Sequence, residues 1–390
     1  MRTMMMLLCL LACACGGKFE GIPGKYHALL DSALARAGAN RGELEKALAN
    51  AKGAEKEGVA FLVSYMPARD LVSMSGEDLL LNTRLAYAAR ERFAWAGNVP
   101  DSIFLNEVLP YASLNEKREN WREDFYRRFA PRVEGCATLE EAIRAVNKHA
   151  REELGVDYNT RRRKPDQSPS ESIEQGMASC SGLSILLTDA FRSVGVPSRV
   201  AGTASWHDDR GNHTWCEVWL DGRWYFTEYY PDDLDRAWFL ADAGRARPGD
   251  REYAVWASSF KPTGRSFPLV WDRSIDYVPA VDVSSRYIKV YREVATRQES
   301  DGNHVALRVR AFGDNSRDPG ARVQVNVDVF RGTEQVGGGS TAGPTRDAND
   351  ALQFLVEKNA TYTLKYWLPD GTGKEMTVAV KESPADVTLD

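Results

Sequence analysis

A helix followed by a β-hairpin in the middle of the sequence constrains the fold of this 390-residue chain more than any other feature. From Leu183 to Val194, apolar residues recur at positions i, i+3, i+4, i+7, i+8 and i+11, which predicts a helix with one apolar face. Gly195 supplies a C-terminal stop, and Pro197 prevents the helix from continuing. The sequence therefore predicts a core-packed helix that ends just before an extended segment.

Cys180 lies at the start of this helix, where Ser179 or Ser181 can act as the N-cap. The first turn of a helix carries unpaired backbone N–H groups and the positive end of the helix dipole, and both favour a thiolate. The same N–H groups can stabilise the oxyanion that forms when a thiolate attacks a carbonyl. A lone cysteine here would more often be a small buried residue, but its position suits a nucleophile with a lowered pKa.

The hairpin follows the helix in sequence. Residues 213–220 and 223–230 read as two strands, and Asp221-Gly222 between them is a strong signal for a two-residue turn. A tight turn fixes the register, because residues at equal distances on either side of it then face each other. The sequence therefore predicts an antiparallel pair of strands beside the helix.

In that register, Trp215 faces Glu228 and His213 faces Tyr230. Glu228 then lies diagonally from His213 on the same face of the hairpin, within reach of a long side chain. A carboxylate there can accept the imidazole N–H and hold the ring in the tautomer that serves Cys180. The arrangement predicts a catalytic set of thiol, imidazole and carboxylate.

At these positions the chain resembles the transglutaminase-like superfamily, the circularly rearranged relatives of papain-type cysteine proteases. The resemblance rests on Cys180 at a helix start, on Gly195-Val-Pro-Ser-Arg-Val-Ala-Gly202, on His213-Thr-Trp-Cys-Glu-Val-Trp219, and on Trp224 followed by an acid. It covers roughly residues 135–245 and implies a papain-like α+β core. It also implies a Cys-His-Asp triad, carried here to Cys180, His213 and Glu228.

The third member of this triad is the least fixed, because the family usually has aspartate where this chain has Glu228. A slip of one residue in the hairpin register would also move Glu228 to the opposite face. Asp232 and Asp233 would then be the alternatives. By analogy with papain-like enzymes, the side chain of Gln175 is a further candidate, as a donor to the oxyanion.

For other residues near the candidate site, a purely structural role is the alternative to a functional one. Trp206 and Trp215 are predicted to line the cleft or to pack in the core, and Trp215 to shield the imidazole. His207, His213 and Cys216 lack a recognised zinc spacing and a fourth ligand, so no metal and no cofactor are expected.

The run Arg161-Arg-Arg-Lys164 reads as a solvated loop, with a basic edge that contacts substrate as the alternative. The stretches 104–122 and 164–173 resemble a bacterial, secreted branch of the family but reveal no substrate. The substrate class is therefore not predicted beyond peptides or proteins.

The amino terminus, residues 1–15, has one arginine, a short apolar stretch and small residues around cysteines, which is typical of a secretory signal. The stretch Leu10-Leu-Ala-Cys13 resembles a bacterial lipobox, in which Cys13 would carry the lipid. Cys15 is the competing site of lipid attachment, and a cleaved signal peptide without any lipid is the remaining alternative. We therefore expect an exported protein of the bacterial cell envelope, lipid-anchored at the periplasmic side or cell surface.

Three cysteines remain after this segment, Cys136, Cys180 and Cys216, and such an odd, sparse set is not a disulfide framework. A bridge between Cys136 and Cys216 would leave Cys180 free. The net charge of −5, without a concentrated basic face, gives no case for nucleic-acid binding.

The length indicates two or three domains in a multidomain α+β protein. We predict a helical N-terminal region over residues 24–134, with helices at Tyr26–Ala37, Arg41–Ala51 and Gly76–Trp95, and the α+β core over residues 135–282. Residues 283–390 are predicted to form an antiparallel, immunoglobulin-like β-sandwich that spaces the core or binds a glycan or protein. Its predicted strands are Tyr287–Val294, Val305–Ala311, Arg322–Arg331, Ala351–Val356, Tyr362–Leu368 and Met376–Val380.

Together these features predict a cysteine-nucleophile enzyme that acts on amide bonds of peptides or proteins through a thioester acyl-enzyme. Hydrolysis is favoured over amine transfer, because nothing in the sequence identifies a site for a second amine substrate. The alternative is a catalytically inactive envelope protein that binds a protein or glycan partner. The glutamate in place of the usual aspartate is the feature that supports this alternative.

Overall fold

A computed structural model describes residues 19–230, 233–313, 319–347 and 349–390. The predicted signal segment, the two candidate lipid sites Cys13 and Cys15, and Asp232 lie outside the described residues. The chain divides into two compact units, one up to Arg84 and the other from Leu85 onward. The candidate site belongs entirely to the second unit.

The first unit is helical. Its first helix buries Leu30, Ala33 and Leu34, which share one helical face. The helix Glu55–Tyr65 was not predicted, because seven consecutive residues from Gly58 to Ser64 are buried and a helix surrounded by protein shows no amphipathic period. The α-helices of this unit are α1 (His27–Arg36), α2 (Arg41–Asn50), α3 (Glu55–Tyr65) and α4 (Ala68–Leu71), and α5 (Gly76–Arg92) contains the boundary.

Several helices of the second unit, among them Arg122–Val133, Leu139–Leu154 and Pro169–Gln175, pack against the buried helix Cys180–Ser193. A capping box at Thr138 and a left-handed Gly155 define the ends of the helix between them. A π-helical turn, Phe104–Val108, and the strand pair β1 (Asp157–Tyr158) and β2 (Met177–Ala178) complete this layer. The helices are α6 (Ala94–Gly97), α7 (Asp101–Ile103), α8 (Arg122–Val133), α9 (Leu139–Leu154), α10 (Pro169–Gln175), α11 (Cys180–Ser193), α12 (Leu240–Ala243) and α13 (Ser284–Ser300).

A five-stranded antiparallel sheet packs against α11. Helix and sheet share one buried cluster, in which Leu186 and Leu187 of the helix meet Cys216 and Val218 of the sheet. The predicted stripe is therefore confirmed as the core face of α11. The strands lie in the order β5-β4-β3-β6-β7, with bounds β3 (Ser198–Thr203), β4 (His213–Leu220), β5 (Arg223–Thr227), β6 (Trp256–Ser258) and β7 (Ala280–Asp282).

The turn between β4 and β5 has the geometry that its sequence predicts. Asp221 and Gly222 both have positive φ, 50° and 85°, as a two-residue hairpin turn of the primed type requires. Strand pairing runs from Leu220 opposite Arg223 to Cys216 opposite Thr227, which confirms the predicted register over that length. The ladder ends there, so the predicted pairing of residue 213 with residue 230 does not form.

The C-terminal part contains two β-sheets that enclose a buried apolar cluster. Pairing is antiparallel except between β8 and β14, which are parallel, so the prediction of a purely antiparallel sandwich is wrong at this pair. The sheets are β10-β9-β12-β13 and β11-β8-β14. Their strands are β8 (His304–Ala311), β9 (Asn326–Arg331), β10 (Glu334–Ser340), β11 (Leu352–Glu357), β12 (Ala360–Trp367), β13 (Gly373–Val380) and β14 (Ala385–Leu389).

The segment Tyr287–Val294, predicted as the first strand of the sandwich, instead lies within α13. Its two buried residues, Tyr287 and Val290, are spaced by three, which is a helical period that the β-rich composition concealed. Strand β10 was not predicted, because it contains three consecutive glycines. One of them, Gly339, lies where an added Cβ would meet Leu352 at 2.3 Å, so close packing of the two sheets requires glycine there.

Within the described residues, every helix is too short or too polar to cross a lipid bilayer.

Candidate active site

The thiol of Cys180 lies in the first turn of α11, and the residue before it fixes that position. The hydroxyl of Ser179 accepts a hydrogen bond from the backbone N–H of Gly182 at 3.0 Å, which is the expected N-cap. The same hydroxyl donates to the carbonyl of Pro165 at 2.5 Å. Gly182 packs closely, because an added Cβ there would lie 2.9 Å from the side chain of Ala178. The helix start is therefore held from two sides.

The hairpin brings His213 and Glu228 to this thiol. His213 is the first residue of β4, and Glu228 follows the last residue of β5. The imidazole Nε2 lies 2.6 Å from Oε1 of Glu228, and the imidazole also hydrogen-bonds the Cys180 thiol. Since Nε2 faces the carboxylate, Nδ1 is the nitrogen available to the thiol. The structure thus brings together the three residues that the sequence singled out.

The environment of Cys180 favours a thiolate. Burial by itself would raise the pKa of this thiol, but the hydrogen bond and positive charge of His213, with hydrogen bonds from Thr214, lower it to about 7. The Oγ1 atom of Thr214 lies 3.7 Å from Sγ and 2.9 Å from Oγ of Ser181. Sequence reasoning missed Thr214, whose signal is only its position next to the histidine.

The environment of His213 favours the imidazolium. Burial by itself would lower the pKa of this imidazole, but the Glu228 carboxylate and the hydrogen bonds to Cys180 and Glu228 raise it to about 10. The histidine therefore keeps its proton at a pH where the cysteine has lost its own. Between about pH 7 and about pH 10 the pair is a thiolate–imidazolium ion pair, the reactive form of a cysteine nucleophile.

A buried asparagine from α9 holds the acid in place. The side-chain nitrogen of Asn147 donates to the backbone carbonyl of Glu228 at 2.5 Å, and its oxygen accepts from the hydroxyl of Thr227 at 3.3 Å. The first bond occupies the backbone carbonyl directly after Thr227, the last residue that is paired in the ladder. Asn147 was not predicted. Its signal was an amide on the apolar face of an amphipathic helix, next to Val146 and Ala150 in the core.

Aromatic rings enclose the imidazole on its core side. Trp206 and Trp215 are 4% and 1% exposed and stack on each other, and the Trp215 ring lies 5.7 Å from that of His213. Both therefore pack beneath the imidazole rather than forming an open wall of a cleft. Trp238 and Phe239, at 5.0 and 5.4 Å from the His213 ring, were missed by sequence reasoning, and Trp238 is only half-buried. In the sequence, two adjacent aromatic residues, Trp238 and Phe239, shortly after Glu228 were the signal that could have identified them.

A chain of buried polar groups fixes the Trp215 ring. Its indole N–H donates to the hydroxyl of Tyr287 at 2.6 Å, and that hydroxyl donates to Glu217 at 2.8 Å. Burial alone would raise the pKa of Glu217, but the guanidinium groups of Arg286 and Arg199 lower it to about 2. Because Tyr287 and Arg286 belong to α13, the helix that precedes the sandwich supports the floor of the candidate site.

Two weaker candidates are engaged elsewhere. The carboxamide nitrogen of Gln175 donates to the carbonyl of Glu171 at 2.8 Å, and its oxygen accepts from the N–H of Arg163 at 3.1 Å. The donor that an oxyanion role needs is therefore committed to its own helix, α10. Asp233 is 65% exposed and forms an ion pair with Arg144 at 2.9 Å.

The other two described thiols lack the activation of Cys180. Cys136 and Cys216 are both free, so the bridge considered between them does not form in this structure. Burial raises the pKa of Cys136, and it raises that of Cys216 to about 12. Among the described cysteines, only Cys180 has a lowered pKa.

One group of side chains outside the triad has the ligand types of a metal site. Ligand atoms of His207, Asp208 and Asp242 lie within 4.8 Å of one another. The guanidinium of Arg210 forms ion pairs with both carboxylates, to Asp208 at 3.0 Å and also to Asp242. A cation already neutralises these acids, so the donor set fits a salt-bridge cluster better than a metal centre.

Part of the chain is similar to a known protein family. The sequence profile of the transglutaminase-like superfamily matches residues 127–229, a stretch that contains all three site residues. Two solved structures share 12% and 9% identity with the chain at TM-scores of 0.28 and 0.27. They are a candidate cysteine protease from Cytophaga hutchinsonii and a transglutaminase from red sea bream. The matches cover 36% and 66% of this chain, but only 45% and 58% of those proteins. Comparison with curated proteins finds no match.

Proposed function

We propose that the protein is a cysteine-dependent enzyme that acts on amide bonds of peptides or proteins, and the match of residues 127–229 to the transglutaminase-like superfamily supports this. The observation that carries the proposal is the hydrogen-bonded set Cys180–His213–Glu228, with 2.6 Å between imidazole and carboxylate. The pKa of the Cys180 thiol, about 7, lies below that of the His213 imidazole, about 10, so the pair is ionised and suited to nucleophilic attack.

The reaction follows from the positions of these groups. The Cys180 thiolate attacks the carbonyl carbon, and backbone N–H groups at the start of α11 stabilise the resulting oxyanion. His213 then donates its Nδ1 proton to the leaving amine, the C–N bond breaks, and a thioester remains. In the second half, His213 takes a proton from water, the oxygen of water bonds to the carbonyl carbon, and the thiolate leaves. The Glu228 carboxylate orients the imidazole and stabilises the imidazolium in both halves of the reaction.

We favour water over an amine as the acceptor. Amine transfer requires a second binding site that raises the local concentration of amine above the competition from water, and the sequence identifies none. Hydrolysis needs only access of water to the thioester. The alternative of an inactive binding protein draws on the glutamate in place of the family's usual aspartate. The close contact of that glutamate with His213 argues against it.

The choice of acceptor can be measured with a peptide mixture, with and without a primary alkylamine, analysed by mass spectrometry. We expect products that have gained water, with amine-bearing products in the minority, and loss of both in Cys180→Ala. Predominant amine incorporation would instead identify a transferase. Turnover no greater than that of Cys180→Ala would favour the inactive binding protein.

We also propose that the protein is exported and lipid-anchored at Cys13, with a C-terminal sandwich of immunoglobulin-like type. A lipobox-like cysteine directs lipid addition in a bacterial envelope protein, as the sequence of the amino terminus indicates. Palmitate labelling in a bacterial host should be lost in Cys13→Ser and kept in Cys15→Ser. The reverse pattern would move the anchor to Cys15, and no labelling of the unaltered chain would disprove the anchor.

A further inference from the structure

The segment Asn159–Pro165, called here the cationic loop, is attached at both ends to the two residues that precede the nucleophile. The N–H of Asn159 donates to the carbonyl of Ala178 at 2.9 Å, and the carbonyl of Pro165 accepts from the hydroxyl of Ser179 at 2.5 Å. Consecutive Cα atoms are about 3.8 Å apart, so the few residues between these attachments cannot extend far from the start of α11. The loop therefore borders the candidate site.

The loop carries four consecutive cations, of which two have acidic partners. Lys164 forms an ion pair with Glu171 at 3.0 Å, and Arg163 lies 3.7 Å from Glu174. Both partners belong to α10, on the side of the loop that leads into that helix. These two cations are accounted for within the fold.

The other two cations, Arg161 and Arg162, have no carboxylate within ion-pair distance among the residues that the structure describes. The guanidinium of Arg162 has one long contact, 3.4 Å, to the carbonyl of Asn159. The backbone N–H of Arg161 donates to the side chain of Asn159 at 2.9 Å, which fixes the turn from which the arginine side chain projects. Within the described part of the chain, two guanidinium groups of the loop that borders the candidate site thus have no acidic partner.

Two exposed tyrosines adjoin this loop. Tyr158, which is 51% exposed, precedes the loop, and its backbone N–H donates to the hydroxyl of Tyr230 at 2.8 Å. Tyr230 is 42% exposed and follows Glu228 by two residues. Exposed aromatic rings with a polar tip are common at sites that bind peptides, because they offer rigid apolar contact at low entropic cost. The same edge of the site therefore offers positive charge and aromatic surface.

We propose that Arg161 and Arg162 bind a carboxylate of the substrate, so that the enzyme selects amide bonds adjacent to an acidic group, while Tyr158 and Tyr230 pack against the flanking residue. The planar guanidinium matches a carboxylate with two parallel hydrogen bonds, which is the recognition geometry that favours arginine. The inference rests on the proposed function and adds the substrate class to it. The carboxylate is that of an acidic side chain or a free main-chain carboxyl group.

Binding and turnover are measured separately, so that failure of the carboxylate-binding proposal can be distinguished from failure of the proposed enzymatic function. Binding is measured by fluorescence polarisation on Cys180→Ala with labelled peptide mixtures of equal length. One mixture contains Glu and Asp, and its counterpart contains Gln and Asn. Each is prepared with a free and with an amidated carboxyl terminus. We expect the acidic mixture to bind at least about 10-fold more tightly, with a preference that falls at high salt. Comparison of free and amidated termini identifies which source of carboxylate is bound.

The variant Arg161→Gln/Arg162→Gln, made in the same background, should reduce this preference to near unity. The charge-keeping Arg161→Lys/Arg162→Lys should retain part of it. The matched control is Arg163→Gln, which removes a cation from the same loop that already has a partner and should leave the preference unchanged. Equal affinity for the acidic and neutral mixtures, or a preference that survives the double glutamine variant, would overturn the proposal. Absence of turnover by the unaltered protein, with the binding preference present, would count against the proposed function alone.

Discussion

Replacing His213 with alanine should slow alkylation of Cys180 by iodoacetamide at pH 7 by at least about 50-fold. The hydrogen bond and charge of His213 lower the pKa of Cys180 to about 7 against the effect of burial, whereas the ordinary thiol value is 9.0. At pH 7 about half of the thiol is therefore ionised in the unaltered protein. Without the imidazole, only the smaller contributions of the Thr214 hydrogen bonds still oppose burial. We therefore expect the pKa to return to about 9 or higher, where about 1% or less of the thiol is ionised at pH 7.

The measurement is the rate of Cys180 modification between pH 5.5 and pH 10, followed by mass spectrometry of the modified peptides. Cys136 and Cys216 in the same chain serve as internal references, because burial raises the pKa of both. The matched control is His207→Ala, which removes another partly buried imidazole outside the triad. An unchanged midpoint near pH 7 in His213→Ala would show that the helix start alone activates the thiol.

The local sequence was sufficient to predict that Cys180, His213 and Glu228 lie close together, because each of them belongs to a helix start or hairpin that is set by neighbouring residues. The apolar period from Leu183 to Val194 places Cys180 at a helix start, and the Asp221-Gly222 turn sets the strand register. A primed turn admits few residue types, so this dipeptide carries unusual information about pairing. The orientation of the Glu228 side chain then follows from the register.

The supporting residues could not be predicted in the same way, because they come from distant elements. Asn147 reaches Glu228 from a helix 81 positions earlier, and Tyr287 reaches Trp215 from a helix 72 positions later. A polar residue on an apolar helix face signals a buried partner but does not identify it. For Tyr287, even the secondary structure was predicted wrongly, because tyrosine and valine at helical spacing also suit a strand.

The position of the cationic loop could not be predicted from the sequence for a different reason. A run of like charges in a sequence is most often a solvated surface, and Arg161–Lys164 was predicted as one. Only the hydrogen bonds of Asn159 to Ala178, and of Pro165 to Ser179, attach the loop that carries this run to the two residues before Cys180. Long-range backbone contacts of this kind leave no local pattern.

Replacing Glu228 with glutamine should lower kcat by up to about 10⁴-fold, the loss found when the carboxylate of a serine-protease triad becomes an amide. The Glu228 carboxylate contributes to the raised pKa of His213, about 10, through charge attraction and the 2.6 Å contact. Glutamine can still accept a hydrogen bond but carries no charge, so the imidazolium loses stability and its pKa falls. The thiolate–imidazolium pair is then lost at a lower pH, so the alkaline limb of the pH–activity profile shifts to lower pH.

Replacing Glu228 with aspartate tests whether the length of the side chain matters in addition to its negative charge. Glu228→Asp keeps the carboxylate but shortens the side chain by one methylene, and the backbone cannot simply follow because Asn147 holds the Glu228 carbonyl at 2.5 Å. We therefore expect a smaller loss, about 10-fold, with the alkaline limb displaced less than in the glutamine variant. The pKa of His213 can be measured directly by NMR titration, since the chain has five histidines and the His213→Ala spectrum assigns the signal.

The matched controls are Asp233→Asn and Asp232→Asn, the two acids that a shifted hairpin register would have brought to the imidazole. Asp233 pairs with Arg144 in the structure, so its replacement should leave the His213 titration in place. Because both controls remove one negative charge from the same segment, they also account for any general electrostatic effect on the site. A fall in the His213 pKa in either control, with none in Glu228→Gln, would transfer the orienting role to that aspartate. The family's usual residue type would then be retained at a different position of the chain.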